Sequence, residues 1–207
     1  MKQTKILAVA VLMALFAGAA QAVPTYCSPN LTNGDGLGVS DMTYNGVNAD
    51  DCYGIVAGND SQATINALNL NWGTDWAFLA KDDNPGNALN GTGSFMGIDF
   101  TLSASAGTTG NWLLTGTGNV PNTLDLIGVL KGSNQYALYL FDDVAFDGND
   151  GGTWEMTFGN GKKQLADLSH LSLYARQGNN VVPEPATALL LGAGLIGLLG
   201  VSRRKKA

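Results

Sequence analysis

The residues able to do acid–base chemistry are few and unevenly placed. The single histidine, His170, lies in the alternating run Ser169-His170-Leu171-Ser172-Leu173-Tyr174-Ala175-Arg176, where it shares the polar side of a strand with Ser172, Tyr174 and Arg176. Nucleophilic catalysis needs a base beside a nucleophile and an acid to orient it, and no nucleophile-elbow glycine pattern occurs here. These side chains are expected to face solvent, and no catalytic residue is assigned. Glycoside hydrolysis would need two carboxylates across a cleft. With 16 acids between residues 23 and 182, the sequence singles out no pair. Glu155, the one glutamate in that stretch, is expected in exposed cross-strand pairing.

Ligand binding has two candidate sets. Asp147, Asn149 and Asp150 offer oxygen ligands on a glycine-rich segment, with Asp142 and Asp143 close before them, and hard oxygen donors of this kind suit calcium. Their spacing departs from the EF-hand loop, which ends in a twelfth-position glutamate, and a solvated turn is the plainer reading. No other cofactor is suggested. Trp72 and Trp76, in Asn71-Trp72-Gly73-Thr74-Asp75-Trp76, combine aromatic faces with polar neighbours, the pairing a pyranose ring would use. Trp112 and Trp154 are expected in the core.

The elements that must position these residues are strands. Ile98, Phe100, Leu102 and Ala104 alternate onto one face, as do Trp154, Met156 and Phe158. Further strands are expected over Tyr53–Ala57, Trp76–Ala80, Trp112–Thr115, Leu124–Leu130, Gln135–Phe141 and Leu171–Arg176. Turn clusters such as Asn84-Pro85-Gly86-Asn87 and Asp147-Gly148-Asn149-Asp150-Gly151-Gly152 separate the runs. Many short strands at such intervals predict a mainly β fold, an antiparallel β-sandwich with jelly-roll-like character. A helix is expected over Asp60–Leu70, and Val23–Asp51 reads as loops and short edge strands.

Charge is segregated along the chain. Residues 23–182 hold 5 basic against 16 acidic side chains, a net −11, whereas the whole sequence carries −6. Such a surface repels phosphate backbones, so nucleic acid is excluded as a partner and cations or neutral sugars fit better.

Both ends read as addresses. Lys2 and Lys5, the apolar run from Ile6 to Ala20 and the small-x-small triplet Ala20-Gln21-Ala22 form a secretory signal over residues 1–22, to be passed by the Sec translocon and cut by signal peptidase after Ala22. A retained N-terminal anchor is the alternative. Export into an oxidising compartment favours pairing of the two cysteines, Cys27 and Cys52, over two free thiols. Closing a loop of that size contributes roughly 3 kcal/mol on chain-entropy grounds. At the other end, Ala186–Val201 is an uninterrupted run of small and apolar residues, preceded by Pro183-Glu184-Pro185 and followed by Arg203, Arg204, Lys205 and Lys206. As a helix it rises about 24 Å, a marginal span of a roughly 30 Å hydrocarbon core. A buried soluble helix is the alternative, but the run has no polar face. The basic cluster would stay cytoplasmic and leave the acidic domain outside.

The order Val182-Pro183-Glu184-Pro185-Ala186, apolar helix and terminal Arg/Lys cluster resembles the PEP-CTERM sorting signal, over about the last 26 residues. The resemblance implies passage through the inner membrane of a Gram-negative bacterium and cleavage at or near Pro183, Glu184 and Pro185 by an exosortase, a membrane-embedded cysteine-type transpeptidase. It also implies a setting of exopolysaccharide and biofilm. Two prolines would hold the motif extended and open to a protease. The expected organisation is therefore a signal peptide (1–22), an extracellular β-sandwich (23–176), a linker (177–182) that lifts it off the membrane, and a sorting signal (183–207). The expected protein is non-enzymatic, passes through an inner-membrane intermediate to the cell surface or matrix, and has extracellular polysaccharide as a partner. A carbohydrate-binding module and a glycan hydrolase are the alternatives.

Overall fold

The computed structural model describes residues 24–27, 36–87, 90–159 and 165–179. Among them the signature of the strands is burial that alternates or is complete. In β7 (Ile98–Ala104), Ile98, Phe100, Leu102 and Ala104 are buried and the residues between them are not, as expected of a sheet with one wet face. β9 (Asn122–Gly132) and β10 (Gln135–Phe146) are apolar on both sides. Leu126, Leu130, Ala137 and Tyr139 enter one cluster, and Ile127, Val129, Tyr136 and Leu138 enter another. Strands that bury both faces belong in the middle of a layered structure.

That is where the two strands lie. Together with β1 (Thr25–Tyr26), β4 (Asp51–Ala57), β5 (Ala77–Asp82) and β12 (His170–Gln177) they make a six-stranded antiparallel sheet of order β1-β4-β10-β9-β12-β5. A four-stranded antiparallel sheet, β11-β8-β7-β6, is built from β6 (Gly91–Phe95), β7, β8 (Thr109–Gly118) and β11 (Asn149–Glu155). Side chains of both sheets meet in the first cluster, where Phe100 and Phe146 pack with ring centroids 5.1 Å apart. This is the layering of a β-sandwich.

The edges of the smaller sheet are covered. At β6, Gly91 and Gly93 let the backbone press against the Lys81 and Leu79 carbonyls of β5, where a Cβ would collide. At β11, the hairpin of β2 (Thr43–Tyr44) and β3 (Val47–Asn48) closes the edge: Asn45 donates its backbone N–H to the Gly151 carbonyl at 2.7 Å, and Thr153 donates to the Thr43 hydroxyl at 2.8 Å. Unpaired edges invite association, and both devices suppress it.

The outer face of the larger sheet is roofed by residues 58–76. Ser61 caps helix α1 (Gln62–Ala67) by accepting from the Thr64 N–H at 3.2 Å, and Thr64 returns the bond to the Ser61 N–H at 2.7 Å. Asn69, at φ +50°, then turns the chain out of the helix. Cys27 and Cys52 form a disulfide with Cα atoms 5.2 Å apart, tying β1 to β4. β12 continues one residue past the expected domain boundary, to Gln177.

Candidate functional site

Ala20 and Ala22 of the leader, Pro183, Glu184 and Pro185 of the tail, its apolar run and Arg203, Arg204, Lys205 and Lys206 lie outside the described residues. Among the described residues no helix is long and apolar enough to cross a membrane.

Trp72 and Trp76 are not the exposed pair the sequence suggests. They are 6% and 1% exposed and serve as pins of the roof. Trp72 donates its indole N–H to Asp51 Oδ2 at 2.8 Å, and Trp76 donates to the Gly73 carbonyl at 3.2 Å. Asn66 brackets the Trp76 backbone with two 3.0 Å bonds, while the Arg176 guanidinium stacks 4.6 Å from the ring centre. Neither ring offers a face to a sugar. Trp112 and Trp154 sit in the core, as expected.

His170 and its neighbours are likewise covered rather than solvated. His170 is 6% exposed, and its Nε2 meets Asp60 Oδ1 at 2.5 Å; Tyr174 donates to Asp60 Oδ2 at 2.8 Å. Burial alone would raise the Asp60 pKa, but the hydrogen bond and charge of His170, helped by Tyr174, hold it well below the carboxylate range. Lys131, beside His170 in the ladder, is buried too and donates to the Ser133 carbonyl. β12 alternates as expected; its polar side meets a roof instead of water. Asp60, His170 and Ser172 share this patch, but His170 Nε2 faces Asp60 and its Nδ1 faces the Asp83 carboxylate at 3.8 Å. A triad places imidazole between acid and hydroxyl, and this geometry does not.

Asp147, Asn149 and Asp150 do not converge on one point. Asn149 and Asp150 belong to β11, paired with Thr115 and Leu114, so their side chains leave the strand on opposite faces. Asp150 is buried and accepts from Asn45 Nδ2 at 2.6 Å and from the Asp147 N–H at 3.1 Å. Asp147 in turn accepts from the Asn149 N–H at 3.2 Å, which closes the turn. The carboxylates that do come together are Asp125, Asp142 and Asp143, whose ligand atoms lie within 4.8 Å of one another. Two of these are already engaged: Asp125 receives Arg176 Nε at 2.6 Å, and Asp143 receives the Asn179 N–H at 2.6 Å. Asp142 stands exposed at the edge of the trio. Its pKa is raised by partial burial and then by the negative neighbours Asp125 and Asp143.

Asp142 also borders a cleft of about 330 Å³ between the β2–β3 hairpin and β10. Its apolar surface comes from Tyr44, Val47, Phe141 and Val144, and its polar groups from Asn48, Asp50 and Asp142. β10 carries a bulge between Phe141 and Val144, which puts Asp142 on the rim; Asp142 N–H donates to Asp50 Oδ2 at 2.8 Å. The Asp142-Asp143 pair is visible in the sequence, whereas the cleft is not. The available signal was a charged doublet interrupting an otherwise apolar strand.

The described residues thus define an acidic, disulfide-bonded antiparallel β domain with a small mixed cleft. What stands behind it is more specific: residues 181–205 match the PEP-CTERM protein-sorting motif, so this is a protein carrying a PEP-CTERM sorting domain. The motif implies export, a membrane-held intermediate and processing by an exosortase. No curated protein and no solved structure matches the chain.

Proposed function

We propose that this protein is a non-enzymatic component of the bacterial surface or extracellular matrix, sorted by exosortase and associated with extracellular polysaccharide. In this reading the fold is a jelly-roll-like sandwich between a cleaved leader and a temporary membrane helix. The observation that carries it is the sorting motif at residues 181–205, which follows an acidic domain stapled by a disulfide. The mature protein from its native host is expected to begin at Val23 and to end before the apolar run. Intact mass and terminal peptides measure both ends, and a surface form that still extends to Ala207 sinks the proposal.

The cleft favours a second reading, binding of a carbohydrate. Its volume falls at the lower end of the ligand-pocket range, and its apolar floor with amide and carboxylate rim suits a sugar ring and its hydroxyls. Glycan-array binding that weakens at least about tenfold in Asn48→Ala and Asp142→Ala supports it, the loss of one or two good polar contacts. Binding untouched by both variants moves the ligand elsewhere. A glycan hydrolase would need turnover of a polysaccharide that disappears in Asp142→Asn.

A further inference from the structure

The last described residues are bonded to the domain where a free linker was expected. Beyond β12, Gly178 donates its N–H to the Thr123 carbonyl at 3.1 Å. Asn179 then donates its backbone N–H to Asp143 Oδ1 at 2.6 Å and its side-chain amide to Asp143 Oδ2 at 3.5 Å. Glycine at 178 permits this close fit, because a Cβ there would stand 3.0 Å from both Asp143 Oδ1 and Thr123 Cγ2. Asp143 is itself fixed. It sits in the β10 bulge at φ +51° and donates its N–H to Asp125 Oδ1 at 2.9 Å, while Asp125 holds Arg176 of β12. The end of the domain and the start of the tail are thereby joined through Arg176, Asp125, Asp143 and Asn179.

We infer that the Asp143–Asn179 contact is a latch that sets how much chain the sorting enzyme can reach ahead of its motif, an inference that rests on the exosortase reading above. With Asn179 held, only residues 180–182 separate the anchored backbone from Pro183. Four residue steps span at most about 14 Å fully extended, and freeing Gly178 and Asn179 adds roughly 7 Å. A peptide-cleaving site takes its substrate as an extended strand, so each residue upstream of the motif counts. The closed latch therefore keeps the folded domain against the processing site, and its opening supplies the slack. Asn179 is exposed, and a contact with so little burial opens readily. Asp143 is a positioning residue in this scheme and takes no part in bond cleavage.

The test is pulse–chase conversion of the full-length precursor in its native host. Asp143→Gly removes the carboxylate while tolerating the positive φ. It is expected to speed processing roughly three- to tenfold, the worth of one hydrogen bond. A Gly-Ser-Gly-Ser insertion after Asn179 should speed it similarly, and adding Asp143→Gly to that insertion should do nothing more. Asp143→Asn keeps an acceptor oxygen and should process at the wild-type rate. Wild-type rates in both Asp143→Gly and the insertion variant, with processing still blocked by alanine at Pro183, Glu184 and Pro185, overturn the latch alone. Processing indifferent to those three alanines overturns the sorting reading beneath it. Hydrogen exchange on the detergent-solubilised precursor reads the contact directly: the Asn179 amide should be protected in wild type and lose protection in Asp143→Gly, and a freely exchanging wild-type amide also refutes the latch.

Discussion

The two faces of the six-stranded sheet each bury an aspartate, and they treat it in opposite ways. Asp41, at the end of a 3₁₀ turn on the sandwich side, is 1% exposed and, among the described residues, has no cationic partner. Its Oδ2 accepts from Gly38 N–H, Tyr139 O–H and Thr157 O–H at 2.9, 3.1 and 2.8 Å. Desolvation outweighs these neutral donors, so its pKa is raised. Asp60, on the roofed side, combines an imidazole with a phenol, and its pKa is lowered. Burial is similar on the two faces; what differs is that Asp60 meets an imidazole, whereas Asp41 meets only an amide and two hydroxyls. The roofed face depends on its buried charge, and the sandwich face tolerates one.

The roofed face should therefore break most easily. Asp60→Ala leaves His170 and Tyr174 buried without their acceptor and is expected to cost about 3–5 kcal/mol, the range for breaking a buried pair, measured by urea unfolding at neutral pH. The pH dependence follows from the sign of the shift. A carboxylate whose folded pKa lies below its unfolded value of about 3.9 stabilises the protein above that value and loses the contribution as pH falls through the folded pKa. Wild-type stability should thus decline below about pH 4, and Asp60→Asn should remove most of that decline. An Asp60→Asn protein with an unchanged acid limb shows that the carboxylate is not stabilised by its partners.

How far the sequence could foresee this contrast depends on what each face is made of. The sandwich face was legible because its partners come from other strands with the same two-residue period: Ile98, Phe100 and Leu102 alternate, and Leu171 and Leu173 do so opposite them. Of the roof only the helix was legible, α1 falling within Asp60–Leu70, while the rest of residues 58–76 is a loop with no period to read. His170, Ser172, Tyr174 and Arg176 look identical in sequence whether water or a loop covers them. The same limit misplaced Trp72 and Trp76, whose indole N–H groups are taken inside the roof by Asp51 and by the Gly73 carbonyl. Asn149 and Asp150 were missed differently, because Gly and Asp are common turn formers and here they pair along β8. The sorting tail was the easiest part to read, because a bilayer and a processing enzyme respond to composition and order along a linear segment.

A smaller effect of opposite sign is expected from Asp41. A carboxyl with a raised folded pKa contributes stability below its unfolded pKa and loses it as pH rises through the folded value, so ionised Asp41 is a net cost at neutral pH. Asp41→Asn keeps an acceptor for the three donors and removes the charge. Its unfolding free energy at pH 7 should stay within about 1 kcal/mol of wild type. It should also fall more steeply toward acid, since the compensating gain from Asp41 is gone. If Asp41→Asn destabilises as much as Asp60→Ala, neutral donors alone support a buried charge and the contrast between the faces fails.

The smallest expected change is at Ser172, on the roofed side of β12 between His170 and Tyr174. Its hydroxyl is fully buried and, among the described residues, makes no hydrogen bond of good geometry, although it lies near enough to Asp60 to help lower that carboxyl's pKa. A buried hydroxyl without a partner carries a desolvation cost, so Ser172→Ala should be neutral or stabilise by up to about 1 kcal/mol. The sign decides how far the Asp60 network extends. A loss of stability would mean that the hydroxyl rotates to serve the Asp60 carboxylate as a third donor. The acid limb would then shift in Ser172→Ala, which it should not do if His170 and Tyr174 alone hold Asp60 ionised.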